Sequence, residues 1–247
     1  MSIFFFKKPK LQVDAFISET YTMAYETVPL KYSNHYYPEW WKKLPKAEFD
    51  FDTMDAKINM KRCLGLIKFY ENSITLPMWS DFALSIVANG DWKSQFSDRM
   101  SVLTFHPKAQ RIGFKDDYEN FKLDSPWLLR TKKDINFFFG PDFYNLQQSD
   151  IEICPGVLSF YHSHGTNINF LTKRNNDIFI PFGQPLVNIT PLSEDEMVLK
   201  NHLVSEREYQ KLKSRITGAT FAGMQQTINR YHKMNEPKCP FGFGSKK

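Results

Sequence analysis

Between Phe121 and Leu192 the chain passes through three apolar stretches, each closed by turn residues, and this pattern limits what it can fold into. The stretches read LDSPWLLRTKKDINFFFGPDFYNL, DIEICPGVLSFYHSHGTNINFLTKR and NDIFIPFGQPLVNITPL. Hydrophobic residues alternate along them with the period of a strand, and Ile178, Ile180, Leu186, Val187 and Ile189 suit a half-buried pleated surface. The run Pro-Phe-Gly-Gln-Pro at 181–185 reverses the chain, with Gly183 free to take a positive φ. The expected fold is α+β and mainly β, with an antiparallel β-sandwich or β-clip-like core.

The flanking sequence adds helices and further strands. Pro38-Glu39-Trp40-Trp41-Lys42-Lys43-Leu44-Pro45 has Pro at the first helical position, an acid in the first turn and lysines in the last. That arrangement complements the helix macrodipole. Cys63–Tyr70 places apolar residues three and four apart, and Asn72 and Ser73 close the element. Ile74–Val87 alternates well enough for one or two strands, with Pro77 favouring an edge or a bulge. Asn89-Gly90-Asp91 predicts a hairpin that pairs Asp81–Val87 with Trp92–Phe96. Val102–Phe105 reads as another short strand.

Toward the beginning, residues 3–6 and 13–24 suggest strands, and Pro29–Tyr37 is a loop rich in Tyr and Asn. Ser205 and Glu208 have the form of a capping box. They open a helical pattern over Glu206–Lys233, interrupted by Gly218 and Gly223, before a tail rich in Gly and Phe. The division that results is an N-terminal strand and loop segment (1–37), a β-rich core domain (38–192) and a C-terminal helical arm with its tail (193–247).

Composition narrows the function classes. The hydrophobic share is 42%, and the aromatic share of 16% includes 23 Phe, enough for a core and inconsistent with general disorder. The net charge of +5 is mild and spread, which fits a solvated surface better than a polyanion-binding face. Cys63, Cys154 and Cys239 are too far apart for a CxxC site, so reduced structural thiols are expected. No run approaches the ~20 apolar residues of a membrane span. No membrane partner is expected, and the chain reads as intracellular. GxxxxGK[ST], GxGxxG and GxSxG do not occur.

Chemistry-bearing residues are few. His162 and His164 lie two apart, and on a strand they would share a face and could hold one metal ion. Asp177, Cys154 or His106 would have to supply a third ligand through folding. No other cofactor is expected. In a turn before Gly165, the two histidines are simply polar turn residues. Cys154 could act as a nucleophile if a base lowered its pKa, although Cys154-Pro155-Gly156 is also an ordinary bend. Trp40 and Trp41 either anchor their helix to a sheet or stack a base or sugar.

Several motifs together resemble an uncharacterised family found in marine T4-like phages and some bacteria. They are Pro38–Leu44, Lys61–Gly65 leading into Leu76–Asp81, Ser125–Thr131, Pro155–Val157 and Ile180–Leu186. The similarity spans about Pro38 to Lys233 and departs at Leu64, where the family usually has Pro, and at Ser159–His162, where an acid is frequent. It implies a phage setting, in the host cytoplasm or the virion, and no activity. A second, local resemblance joins Pro155–Val157 and Ile178–Ile189 to the end of the dUTPase-like β-clip. The water-activating Asp of that enzyme would fall near Ser159 or Phe160, neither of which can act as a base.

The expected role is therefore binding or assembly, as a virion-associated or other structural protein, through a protein partner or self-association. Nucleic acid is the less favoured partner. A metal-dependent or nucleotide-processing enzyme is the alternative. The candidate ligand or partner contacts are Trp40, Trp41, Trp127 and Arg130, and the candidate metal ligands are His162 and His164.

Overall fold

A computed structural model describes residues 9–45, 48–50, 52, 54–57, 59–106, 117–145, 150–217 and 229. Strand β1 (Lys10–Ser18) leads through a short 3-10 turn into α1 (Thr22–Thr27), followed by β2 (Lys31–Tyr32) and α2 (Glu39–Lys43). The hairpin of β3 (Glu48–Asp50) and β4 (Asp55–Lys57) precedes α3 (Leu64–Glu71), β5 (Ile74–Pro77), β6 (Phe82–Ile86), β7 (Trp92–Phe96) and β8 (Leu103–Phe105). Next come β9 (Tyr118–Leu123), β10 (Leu128–Thr131), β11 (Asn136–Pro141), β12 (Glu152–Ile153) and β13 (Gly156–Ser159). The chain continues through β14 (Ile168–Lys173), β15 (Asn176–Ile180), β16 (Pro185–Pro191), β17 (Glu196–Val204) and α4 (Glu206–Thr217).

The fold is α+β and mainly β, with a sandwich-like arrangement of sheets. Their orders are β10-β1-β17, β13-β11-β16-β5-β2, β12-β14-β9-β8 and β15-β6-β7. Among the described strands no sheet closes into a barrel, and every pairing is antiparallel except β1 with β17. One hydrophobic core serves these sheets. Ile178, Ile180, Leu186, Val187 and Ile189 are all buried in it, Leu186 and Val187 in succession where β16 shifts register. A continuous run of rings crosses from sheet to sheet: Trp92 packs on Phe121, Phe121 on Phe170, and Phe170 edge-on against Phe82. Each ring in this run removes a large apolar area from water.

The turn chemistry follows the sequence closely. Gly183 has φ +83° and donates its N–H to Met78 O at 2.8 Å, while an added Cβ would lie 3.3 Å from Val28 Cγ1. Gly90, at φ +90°, turns the β6–β7 hairpin. It sits directly against the buried Glu119, which accepts from Arg174 Nε at 2.7 Å. Pro77 combines both expectations for it. β2 reaches only Ile74 and Thr75, so Pro77 lies beyond it, opposite a register shift between Pro185 and Val187.

The ends of the chain depart from the expected division. β1, placed by sequence in an N-terminal segment, is the central strand of its sheet. Residues 196–204, expected within a helical arm, form β17, which pairs with β1 in parallel from Lys10↔Glu196 to Ser18↔Val204. The strand expected over residues 13–24 instead starts at Lys10 and ends at Ser18, after which the chain turns helical through Thr27. Helix α4 begins where the capping box placed it, with Ser205 Oγ accepting from the Glu208 N–H at 3.3 Å. Its apolar face sets Tyr209 and Leu212 on Leu128, beside Phe16 and Val204. The expected strand at 3–6, the helical pattern beyond Thr217 with Gly218 and Gly223, and the Gly/Phe tail lie outside the described residues.

Trp127 requires a correction. It was a candidate contact, but it is fully buried and packs near Tyr25, so it meets no partner at the surface. Its ring was hydrophobic enough to be core, and Leu128 and Leu129 beside it carry it inward. Trp127→Ala should therefore cost about 3–5 kcal/mol of stability, read as a lowered midpoint in chemical denaturation. A midpoint unchanged from the wild type would contradict this placement.

Candidate binding face

The exposed edge of the β10-β1-β17 sheet is where unsatisfied charge collects. Along β10, Leu128, Leu129 and Thr131 are buried and Arg130 points outward. The backbone of β10 is covered on its open side by the turn after β13, through Leu129 N–H to His164 O at 2.8 Å and Thr131 N–H to Phe160 O at 3.3 Å. Arg130 therefore stands between that turn and α4, in the walls of two open hollows. One, of about 460 Å³, is also lined by Lys132, Tyr161, His162 and His164. The other, of about 510 Å³, is lined by Arg207, Lys211, Glu208 and Leu212. Arg130, Lys132, Arg207 and Lys211 are all exposed, and none of them makes an ion pair among the described residues. Arg130, a candidate contact from sequence, lines both hollows.

His162 and His164 do share a hollow, but on a turn rather than a strand. His162 Nε2 is 3.0 Å from Asp134 Oδ2, and Ser159 Oγ donates to Asp134 Oδ1 at 2.7 Å. The Ser159 bond, then His162, holds the Asp134 carboxyl below its ordinary pKa. In this set the acid binds both partners and the hydroxyl is not held by the imidazole, so the geometry is not that of a base-activated nucleophile. His106 pairs with Asn169 instead. Among the described residues no three His, Cys, Asp or Glu side chains gather as a metal site would need. Cys154 is half-buried, and its N–H is committed to Asn169 O.

The two Trp of α2 divide their roles. Trp41 stacks on Tyr37 with ring centroids 3.9 Å apart, and Lys61 Nζ lies 5.3 Å from its centre. It anchors the helix. Trp40 is 37% exposed at the rim, tilted against Tyr144. Pro38 caps this helix from outside, so the helix starts one residue later than expected, at Glu39. Beneath lies a buried polar layer that sequence inspection missed. Asp142, with no exposed surface, accepts from Tyr70 Oη at 3.1 Å and Asn145 Nδ2 at 2.9 Å. Asn188 Oδ1 accepts from Ser33 and Thr75. Nothing local in Gly-Pro-Asp-Phe marks Asp142 as interior, because its partners come from α3 and from the turn that follows.

No protein-family model and no curated protein matches this chain.

Burial lifts the Asp142 carboxyl above its ordinary value of 3.8, and its hydrogen bonds only partly oppose that. The folded state then keeps a proton that the unfolded chain releases. Its stabilising effect is complete below the unfolded pKa and is lost as pH rises through the folded one. Denaturation midpoints followed from about pH 4 to about pH 8 should fall for the wild type relative to Asp142→Asn, whose amide does not titrate. Parallel curves would mean that Asp142 ionises normally.

Proposed function

We propose that this chain is a binding and assembly protein whose working surface is the cationic face around Arg130, and that this face receives an acidic protein surface. One observation carries the reading: four cationic side chains converge on two adjoining hollows without ion-pair partners. Such a cluster is self-repulsive in the free protein, and an incoming set of carboxylates relieves the repulsion while aligning the two surfaces. The hollows are open, so they suit a protruding side chain better than an enclosed small molecule. The setting is the one that the resemblance to phage proteins suggests, a particle or an infected host cell. Trp40, exposed on the far side of the motif-bearing helix, belongs to no part of this face.

Poly-glutamate serves as a probe. The wild type should bind it with an affinity that falls as salt rises, and replacing Arg130, Lys132, Arg207 and Lys211 by Ala should weaken binding by about tenfold or more. Equal binding by the two proteins would remove this face from the function. A clear preference for a single-stranded oligonucleotide of the same charge, with a steep salt slope, would transfer the site to nucleic acid.

A further inference from the structure

The cationic face does not stop at β10, because strand register carries it across the outer side of the β10-β1-β17 sheet. Arg130 pairs with Asp14, and Asp14 pairs in turn with Lys200 of β17. Their neighbours one position along point the other way: Leu129 and Ala15 are buried, and Asn201 donates to Leu30 O at 2.8 Å. Arg130, Asp14 and Lys200 therefore form one outward cross-strand row. Its two cations are separated by two inter-strand spacings, about 10 Å.

Asp14 pairs with neither cation. Both of its oxygens accept from Gln12 Nε2, at 3.0 and 2.9 Å, and Oδ1 lies 2.9 Å from His202 Nε2. Arg130 and Lys200 are exposed and make no ion pair among the described residues. Helix α4 is the wall beside this row. It starts at the end of β17 and sets Leu212 on Leu128 of β10, so it crosses the sheet over the Leu128–Phe16 row, next to that of Arg130. From there Arg207 and Lys211 line a hollow with Arg130. Lys132, one residue past Thr131, extends the face on the side away from α4.

The cations thus make a strip that runs across the strands, parallel to α4. A partner that met Arg130 alone would leave Lys200 unmatched. One that lay along the strip would match both, with carboxylates about three residues apart in an extended chain or about seven apart in a helix. We propose that the acidic partner surface is a segment lying across β10, β1 and β17 beside α4, with carboxylates spaced to meet Arg130 and Lys200 together. This rests on the binding reading above, and adds Lys200 as a contact and a direction for the partner. Asp14 lies beneath the middle of the segment and opposes it.

Poly-glutamate titrated into the full chain at low salt tests this with two variants of the row, Lys200→Ala and Asp14→Asn. Asparagine keeps the shape of Asp14 and an acceptor oxygen for its partners. Lys93→Ala and Asp177→Asn are the controls. Both residues are exposed, on either side of Ser85 in the β15-β6-β7 sheet, and each change matches its counterpart in net charge. Lys200→Ala should weaken binding by about threefold or more, and Asp14→Asn should strengthen it, each beyond its control. A Lys200 variant no weaker than the Lys93 one, or an Asp14 variant no stronger than the Asp177 one, would overturn the crossing segment. If the fourfold Ala variant at Arg130, Lys132, Arg207 and Lys211 still loses binding in that case, the hollows stand and only the crossing fails. Equal binding by wild type and the fourfold variant would instead remove the binding reading itself. A Lys200 effect seen with a single-stranded oligonucleotide and not with poly-glutamate would overturn the acidic protein segment as the occupant.

Discussion

The pairing of β1 with its two neighbours is the constraint on which the remaining architecture depends. β1 is hydrogen-bonded on one side to β10 and on the other to β17, so it gathers the beginning, the middle and the late part of the chain into one sheet. Closing a loop from residue 18 to residue 196 costs about 4–5 kcal/mol of chain entropy beyond a constant term, because the cost grows only with the logarithm of length. Leu11, Val13, Ala15 and Ile17 alternate into the core, and burying side chains of this size returns about 1.5–3 kcal/mol for each of the larger ones. The burial along this one strand is of the same order as the closure that it imposes. The outward residues of the same strand, Gln12, Asp14 and Phe16, then form the platform for everything on the other side.

That platform is divided between apolar and ionic work. At one end Phe16, Leu128 and Val204 receive Tyr209 and Leu212 of α4, and Glu206 reaches back to accept from Ser18 Oγ. At the middle Asp14 faces Arg130 in register but is engaged by Gln12 and by His202, whose ring stacks on Phe16. Asp14 is thus spoken for, and Arg130 remains unpaired beside it. The helix that shields the apolar end also delivers Arg207 and Lys211 to the side of Arg130. Packing and charge clustering have the same cause, the docking of α4 across the outer face of the sheet.

Legibility from sequence followed the range of the interactions. Gly90 and Gly183 were readable because a positive φ is a local demand that few other residues meet. The α2 and α3 helices and the strands from Phe121 to Leu192 were readable because each carries its own period. β17 was not. Its sequence, EMVLKNHLV, breaks alternation with Lys-Asn-His, tolerable in an edge strand whose outer face is solvated, and its partner lies nearly the whole chain away. Trp127 was misplaced for the opposite reason: an aromatic residue three positions before Arg130 looks like a contact, yet it lies just ahead of β10 and is fully buried. The two histidines lie on a turn, which does not impose the shared face that a strand would.

Net charge was the least informative number in the sequence, and the fold explains why. An excess of +5 spread over 32 basic and 27 acidic side chains describes a nearly balanced surface. The bulk total cannot register that Arg130, Lys132, Arg207 and Lys211 come from two distant parts of the chain and meet around two adjoining hollows. It is equally blind to Glu71 joining Glu194 and Glu196 around another. The Lys132-Lys133-Asp134 run and the Glu194-Asp195-Glu196 run each look like solvated turns when read alone. Lys133 and Asp195 nevertheless join the two runs directly, at 2.6 Å.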